Sequence, residues 1–335
     1  MSTKDLLLTN PDVSLDVPFS LTPKGLEASE LFDPMVRAAW LYYHEGLTQA
    51  EIAALLGVSR PSVANLLARA REEGVVTISL RADYLSSLTL AKTFREQFGL
   101  KDVLVVPTPP SADTATIHQS LGKAGALYLE KTLQGGDVLA TAWGAAMLEV
   151  ALALSGVTVD NLTIAQSLGG LSTADSFNPN RVASIMADKL GARVYHLYVP
   201  AVVESVAVRD ILLRDPSIRS AFEVAKAATS VMLGIGKVSH DATVVRAGFI
   251  TPIQIDELKA KGAVGDIAGR FFDVNGKPVV TELNERIIAL SLEDIRTMNP
   301  VIAVVGGKDK VPPILGALRG GYIDVLIVDE RTAKD

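Results

Sequence analysis

The 335-residue sequence contains no cysteine. That excludes disulfides, thiolate-bound metals and a cysteine nucleophile together, and it accords with a reducing compartment. No run approaches the ~18 apolar residues that a membrane-spanning helix needs. The patch Leu6–Leu8 is too short for a signal-peptide core and lacks a small-residue cleavage pattern. A cytoplasmic protein is therefore expected. A cationic excess is also missing: the formal net charge is −6, unlike a chain whose whole surface grips nucleic acid. Gly234-Ile235-Gly236 does not complete G-x-G-x-x-G, so no dinucleotide site is expected. His44, His118, His196 and His240 are scattered without metal-ligand spacing, so neither a metal nor another cofactor is expected.

The apolar fraction of 48% and the charged fraction of 21% suit a compact protein, and the length suits two domains. The acid is unevenly spread. Residues 1–33 carry Lys4 and Lys24 against Asp5, Asp12, Asp16, Glu27, Glu30 and Asp33. With Pro11, Pro18 and Pro23 and no clear period, they form an N-terminal extension in which a short helix over Gly25–Leu31 is the one candidate element. Residues 34–81 carry Arg37, Arg60, Arg69, Arg71 and Arg81 against Glu45, Glu51, Glu72 and Glu73.

That second stretch carries the punctuation of a helix-turn-helix. Val36, Ala39, Trp40 and Tyr43 fall at i, i+3, i+4 and i+7, which predicts one buried helix face, with Gly46 as its stop. Thr48-Gln49-Ala50-Glu51 is a capping box, Ile52, Leu55 and Leu56 supply an apolar face, and Gly57 is a turn. Ser59 caps a third helix with Pro61 in its first turn, a buried face of Val63, Leu66, Leu67 and Ala70, and Gly74 as its end. The β-branched run Val75–Leu80 predicts a wing. Arg60, Ser62, Asn65 and Arg69 are left facing outward. Arg and Asn can bond guanine and adenine edges in pairs, and Ser reaches base or phosphate. Arg69 and Arg71 lie further along the helix, where phosphate is the expected contact. Thr48, Gln49, Ser59 and Pro61 at the two helix starts complete the candidate DNA-binding set. A plain helical hairpin would show the same helices, but not this conjunction of caps, turn and following β-branched run.

Residues 82–99 predict a linker helix with apolar Leu85, Leu88, Phe94 and Phe98. From 100 to 331, strand-like runs alternate with helical stretches. The runs are Val103–Val106, Val138–Ala142, Leu162–Gln166, Arg193–Val199, Val231–Ile235, Val301–Val305 and Val325–Val328. The expected fold is α/β: a doubly wound, mostly parallel sheet behind an N-terminal winged helix-turn-helix.

Ligands of such sheets bind beyond the carboxyl ends of the strands. Three glycine-bearing segments qualify. Trp143-Gly144-Ala145-Ala146 follows one run and opens a helix whose free N–H groups can hold an anion. Gly306-Gly307-Lys308 follows another and adds a cation, a role Lys310 could equally fill. Gly262–Asp266 reads as a glycine loop ending in a carboxylate that suits sugar hydroxyls, although Asp266 could instead cap a helix starting near Ile267. Gln166 and Gly169 would complete the wall. Glycine loops after strands are common turn chemistry, so the case rests on the set.

The stretch Ala38–Tyr43, Leu47–Ala53 and Leu56–Val63 resembles the N-terminal domain of the SorC family of sugar-binding transcription regulators. The likeness continues through Gly136–Leu139, Trp143-Gly144, Gly262–Ile267, Arg270–Asp273, Gly306–Lys308 and Ala317–Gly321, covering roughly residues 35–331. It implies operator DNA and a sugar, polyol or sugar phosphate as partners, effector contacts on these loops, above all Asp266 and Lys308, a homo-oligomer of two or four chains, and a large domain resembling sugar-phosphate isomerases. A sugar-phosphate isomerase carrying a DNA module is the alternative that this fold likeness raises. The sequence departs from the family in one place. A hydroxyl residue commonly follows the Trp-Gly pair and helps to hold a phosphate, whereas Ala145-Ala146 stands here. At least one phosphate contact is therefore expected to be absent or replaced.

Overall fold

The computed structural model describes residues 33–77, 82–109, 111–171 and 177–335. The expected helix at Gly25–Leu31 and the run Ile78-Ser79-Leu80 lie outside them. The chain divides into two compact units between Leu80 and Arg81.

The first unit packs α1 (Pro34–Tyr43), α2 (Gln49–Leu56) and α3 (Arg60–Glu72) around Met35, Ala38, Ala39, Ile52, Val63, Leu67 and Ala70. The face of α1 differs from the expected one. Ala39 is buried, but Trp40 and Tyr43 are 45% and 42% exposed, and Met35 and Ala38 take their place. Alanine at 38 and 39 lets α1 approach α3 closely, and the bulky rings are turned out, where Trp40 stacks on His44 at 5.3 Å. The wing is not seen among the described residues: Val75 and Val76 form a bend and Thr77 is irregular. Val76 still packs against the three-helix core.

In the second unit α4 (Ala82–Phe98) leads to β1 (Asp102–Val106), α5 (Thr114–Thr132), β2 (Val138–Thr141), α6 (Ala145–Ala153) and β3 (Thr163–Gln166). There follow α7 (Pro179–Leu190), β4 (Arg193–Tyr195), α8 (Val206–Arg214), α9 (Pro216–Lys226), β5 (Ser230–Leu233), β6 (Gly236–Lys237), α10 (Thr243–Arg246) and α11 (Pro252–Ala260). The remainder is β7 (Ala263–Ile267), β8 (Arg270–Asp273), α12 (Glu282–Arg286), α13 (Leu292–Thr297), β9 (Val301–Val305), a 3-10 turn (Lys308–Lys310), α14 (Val311–Arg319), β10 (Val325–Asp329) and α15 (Glu330–Lys334).

Seven strands form one parallel sheet in the order β1-β10-β9-β5-β2-β3-β4. Successive side chains of a strand point to opposite faces. Leu139, Ile164, Met232, Ile302, Val304 and Ile327 pack beneath α5, α6 and α7, while Ala140, Ala165, Val231, Ala303 and Val328 face the layer containing α9, α11, α13 and α14. Leu90, Ala91, Phe94 and Phe98 of α4 lie against that second layer, so most of the helix belongs to the large unit, although Leu85 and Leu88 are exposed.

β6, β7 and β8 form a separate antiparallel sheet. Here the expected glycine loop at Gly262–Asp266 is corrected, as is the helix that Asp266 would have capped. Only Gly262 is a turn residue, and Asp266 sits inside a strand paired with Gly236 on one side and Phe271 on the other. The segment Arg270–Asp273 explains itself in the same way. Phe271 and Phe272 are fully buried. Arg270 donates to the carbonyls of Asn284, Ile287, Ala289 and Leu290, replacing a ladder that the irregular 287–290 segment cannot make alone.

The order of the strands locates the cleft. From β2 the chain moves outward to β3 and β4; from the neighbouring β5 it moves the other way, to β9 and β10. The loops leaving β2 and β5 therefore diverge and open a crevice at the carboxyl edge of the sheet.

Candidate functional site

Two surfaces stand out, one in each unit. In the first, Thr48 Oγ1 accepts from the Glu51 amide at 3.4 Å and the Glu51 carboxylate accepts from the Thr48 amide at 2.8 Å, completing the capping box. Those bonds hold the Glu51 carboxyl below its ordinary range. Gly57 ends α2 with φ +65°. Ser59 Oγ then accepts from the Ser62 amide at 3.3 Å and starts α3. Arg60, Pro61, Asn65 and Arg69 are exposed along α3, Ser62 is half-buried beside its cap, and Thr48 and Gln49 open α2. The Arg69 guanidinium is held by Glu73 at 2.9 and 3.1 Å, which raises its pKa. Arg60 and Asn65 carry the donors left to the outer face.

In the second unit the crevice is a cavity of about 840 Å³. Trp143–Ala146 after β2, Gly234–Lys237 after β5 and Gly306–Lys310 after β9 line it, with the start of α5, Thr243, Val244 and Arg246 of α10, Asp266 of β7, and Arg331. The Trp143 ring is fixed between Phe249 and Phe177, at 5.8 and 6.0 Å. Gly144 precedes α6 with no side-chain cap, so the first N–H groups of that helix remain open to a ligand. Behind Gly306-Gly307, the buried Asp329 accepts from the Gly307 amide at 3.0 Å and from the Thr332 hydroxyl at 2.5 Å. A Cβ on Gly306 would lie 2.4 Å from that carboxylate, so only glycine lets the loop pass.

Asp266 is the distinctive group. It is 3% exposed; Oδ2 accepts from the Gly269 amide at 3.0 Å, while Oδ1 has no partner. Burial pushes its carboxyl up to about 6, against the Gly269 bond and the nearby Lys310 cation. Lys310 donates to the Ile235 carbonyl at 2.7 Å and is itself brought down to about 8, chiefly by burial. Burial and Lys310 also lower the pKa of His118. Lys237 is neutralised by Asp241 at 2.7 Å and Asp309 at 2.9 Å. The cavity thus offers an unsatisfied buried acceptor, an uncapped helix start and cations, the set that a hydroxyl-rich small molecule with or without an anionic end would use.

Of the sequence-derived effector residues, Trp143, Gly144, Ala145, Ala146, Asp266 and Lys308 line this cavity. Gln166 and Gly169 do not, which corrects their expected place in its wall. Gln166 is consumed in a buried network: Oε1 accepts from the Leu197 amide and meets His196 Nδ1, both at 2.9 Å, and Nε2 donates to Asn180 at 3.3 Å. Gly169 lets its strand end pass the Val199 and Pro200 carbonyls, which a Cβ would approach to 2.6 and 2.7 Å. His118, Gly234–Lys237, Arg246 and Arg331 also line the cavity, although they were not expected among the effector contacts. Gly234-Ile235-Gly236 after a strand-like run was the available signal; nothing marks the others.

Comparison with known proteins accords with this division. A family model described as Putative sugar-binding domain matches residues 82–335, and one described as Sigma-70, region 4, a helix-turn-helix, matches residues 40–73. The uncharacterized transcriptional regulator YjhU of Escherichia coli K12 is 37% identical over 312 residues, 91% of this chain and 95% of that one. The deoxyribonucleoside regulator of Bacillus subtilis strain 168 is 33% identical over 89% of this chain and 95% of its own. The crystal structure of the full-length sorbitol operon regulator SorC of Klebsiella pneumoniae superposes with a TM-score of 0.71 at 28% identity, covering 90% of this chain and 96% of that one. These relatives are named as regulators and not as enzymes, which answers the isomerase alternative. No helix among the described residues is long and apolar enough to cross a membrane. With a sugar-binding domain behind a helix-turn-helix, the chain belongs to the SorC family of transcriptional regulators.

Proposed function

We propose that the cavity holds a sugar or polyol, free or phosphorylated, and that its occupation resets the grip of α3 on operator DNA. The observation that carries this reading is the unpartnered Oδ1 of Asp266, buried in the wall of the cavity. A buried acceptor without a donor costs on the order of 1–3 kcal/mol, and a ligand hydroxyl relieves that cost. The N–H groups at Ala145-Ala146 and the Lys308 ammonium hold the oxygen-rich far end. Relatives named for sorbitol, erythritol and deoxyribonucleosides support an effector of this class.

On the DNA side, Arg60 and Asn65 read bases, with Ser62 beside them. Thr48, Gln49, Ser59 and Pro61 set the helix starts against the backbone, and Arg69 exchanges Glu73 for phosphate. A module with this little positive charge gains affinity by acting in pairs, so the working form is a cytoplasmic homo-oligomer of two or four chains. The effector shifts the equilibrium by its difference in affinity for the operator-competent and incompetent arrangements.

Calorimetry with matched sugars, polyols and their phosphates tests this. Binding that Asp266→Asn weakens at least tenfold is the expected result. The missing hydroxyl after Gly144 predicts no strong preference for the phosphate of a pair. Binding unaffected by Asp266→Asn would overturn the assignment of the site.

A further inference from the structure

Helix α15 is five residues long, yet Glu330, Thr332 and Ala333 are buried, and so is Asp329 before it. The segment reaches the effector cavity at one place and the linker helix at another. Arg331 lines the cavity, and its guanidinium donates to the Ala112 carbonyl at 3.1 Å. The Gly307 amide, on the loop after β9, is shared by two acceptors of the segment, Asp329 Oδ2 at 3.0 Å and Thr332 Oγ1 at 2.8 Å. The Thr332 hydroxyl gives its own proton to Asp329 Oδ2, and Asp329 Oδ1 accepts from the Thr332 amide at 3.1 Å. α15 also contacts α4, β1 and the 3-10 turn Lys308–Lys310. Its Ala333 belongs to the core against which Leu90, Ala91, Phe94 and Phe98 of α4 pack.

We propose that Asp329 and Thr332 are positioning residues of the effector response, coupling the Gly306–Lys308 wall of the cavity to α4 through α15. The proposal rests on the reading of the cavity as the effector site and names its route to the linker. Ligand oxygens that draw on Gly306–Lys308 move the Gly307 amide. The amide is bonded to Asp329 and Thr332, and those two are bonded to each other. A buried carboxylate stripped of its donor is costly, so Asp329 follows the amide instead of parting from it. The loop has no slack in the other direction, because a Cβ on Gly306 would stand 2.4 Å from Asp329 Oδ2. Close-packed groups pass such a shift on and do not absorb it. α15 then moves against Phe94 and its neighbours, and α4 leads back through residues 73–81 to the helix that meets DNA. The effector biases the arrangement at one end of this chain of bonds, and the operator biases it at the other.

The test uses the full chain and begins without effector. Amide hydrogen exchange read by mass spectrometry is compared for the parent, Thr332→Val and Thr332→Ser. Thr332→Val is expected to speed exchange at least fivefold over residues 306–310 and 82–99 and to leave residues 163–190, in β3 and α7, unchanged. Thr332→Ser keeps the hydroxyl and is expected to keep the parent pattern. A change at 306–310 that stops short of 82–99 overturns the coupling, and so does an equal rise everywhere, which is general loosening. The second measurement is operator affinity by fluorescence anisotropy, with sorbitol, erythritol and their phosphates as probes. A probe that shifts the affinity of the parent is expected to bind Thr332→Val within threefold by calorimetry while the shift falls at least fivefold. A shift that survives Thr332→Val, or one lost together with binding, overturns the positioning role. A parent that answers none of the four probes counts against the sugar and polyol reading of the cavity, and the exchange pattern still decides the coupling.

Discussion

Asp266 and Gly236 face one another across the β6–β7 pairing, and a Cβ on Gly236 would lie 1.7 Å from Asp266 Oδ1. The carboxylate occupies the space of a missing side chain. Gly236→Ala is therefore expected to displace Asp266 or open the ladder, at a cost of about 1–3 kcal/mol. Chemical denaturation would show the loss and calorimetry the loss of effector binding. Unchanged stability and unchanged binding together would contradict the tight approach.

The raised pKa of Asp266 makes a second prediction. The folded chain holds a proton at this site up to pH about 6, whereas the ordinary value is 3.8. Between those values the native state binds more protons than the unfolded chain, so stability falls as pH rises through that window. The fall is at most on the order of 3 kcal/mol. Asp266→Asn is expected to flatten it and to be at least as stable as the parent above pH 6. Denaturation midpoints taken from pH 4 to pH 7 decide the point, and a variant that keeps the full slope would assign it to another group.

For α3, the exposed donors of Arg60 and Asn65 predict separable losses. Each substitution to alanine should cost about 1–3 kcal/mol of base discrimination. Asn65→Ala should leave the salt dependence of binding intact, whereas a phosphate-contacting Arg69 replaced by alanine should lower its slope by about one. Fluorescence anisotropy on operator and scrambled duplexes over a salt series measures both. Unaltered discrimination after both Arg60→Ala and Asn65→Ala would remove α3 from the recognition role.

All seven parallel strands were legible in the sequence: the inner ones, covered on both faces, read as largely apolar runs, whereas the edge strand β4 is exposed at Arg193 and Tyr195 and is shorter than the run Arg193–Val199 that announced it. β7 was not, because Gly265 and Asp266 are poor strand formers and sit mid-strand only through the pairings of Gly265 to Lys237 and Phe272 and of Asp266 to Gly236 and Phe271. On α1 the period allowed more than one face, and the choice was made by the room beneath Ala38 and Ala39, a tertiary constraint. The candidate site was half legible for a similar reason. Gln166 does end a strand at the carboxyl edge, but β3 lies one place beyond the point where β2 and β5 part. Strand order, which decides that, has no local signature in the chain.

The same order has a consequence for synthesis on the ribosome. Among the described strands β1 emerges first, and its sheet neighbour is β10, with Val103 opposite Leu326. The oldest strand of the sensor thus waits for the youngest, while the three-helix unit ahead of it closes on contacts only a few dozen residues apart. Folding governed by such distant pairings is slow. A nascent chain would therefore present a finished DNA-reading head before its ligand-reading body can shut, and a ribosome stalled late in the message would hold a head that no effector could yet control.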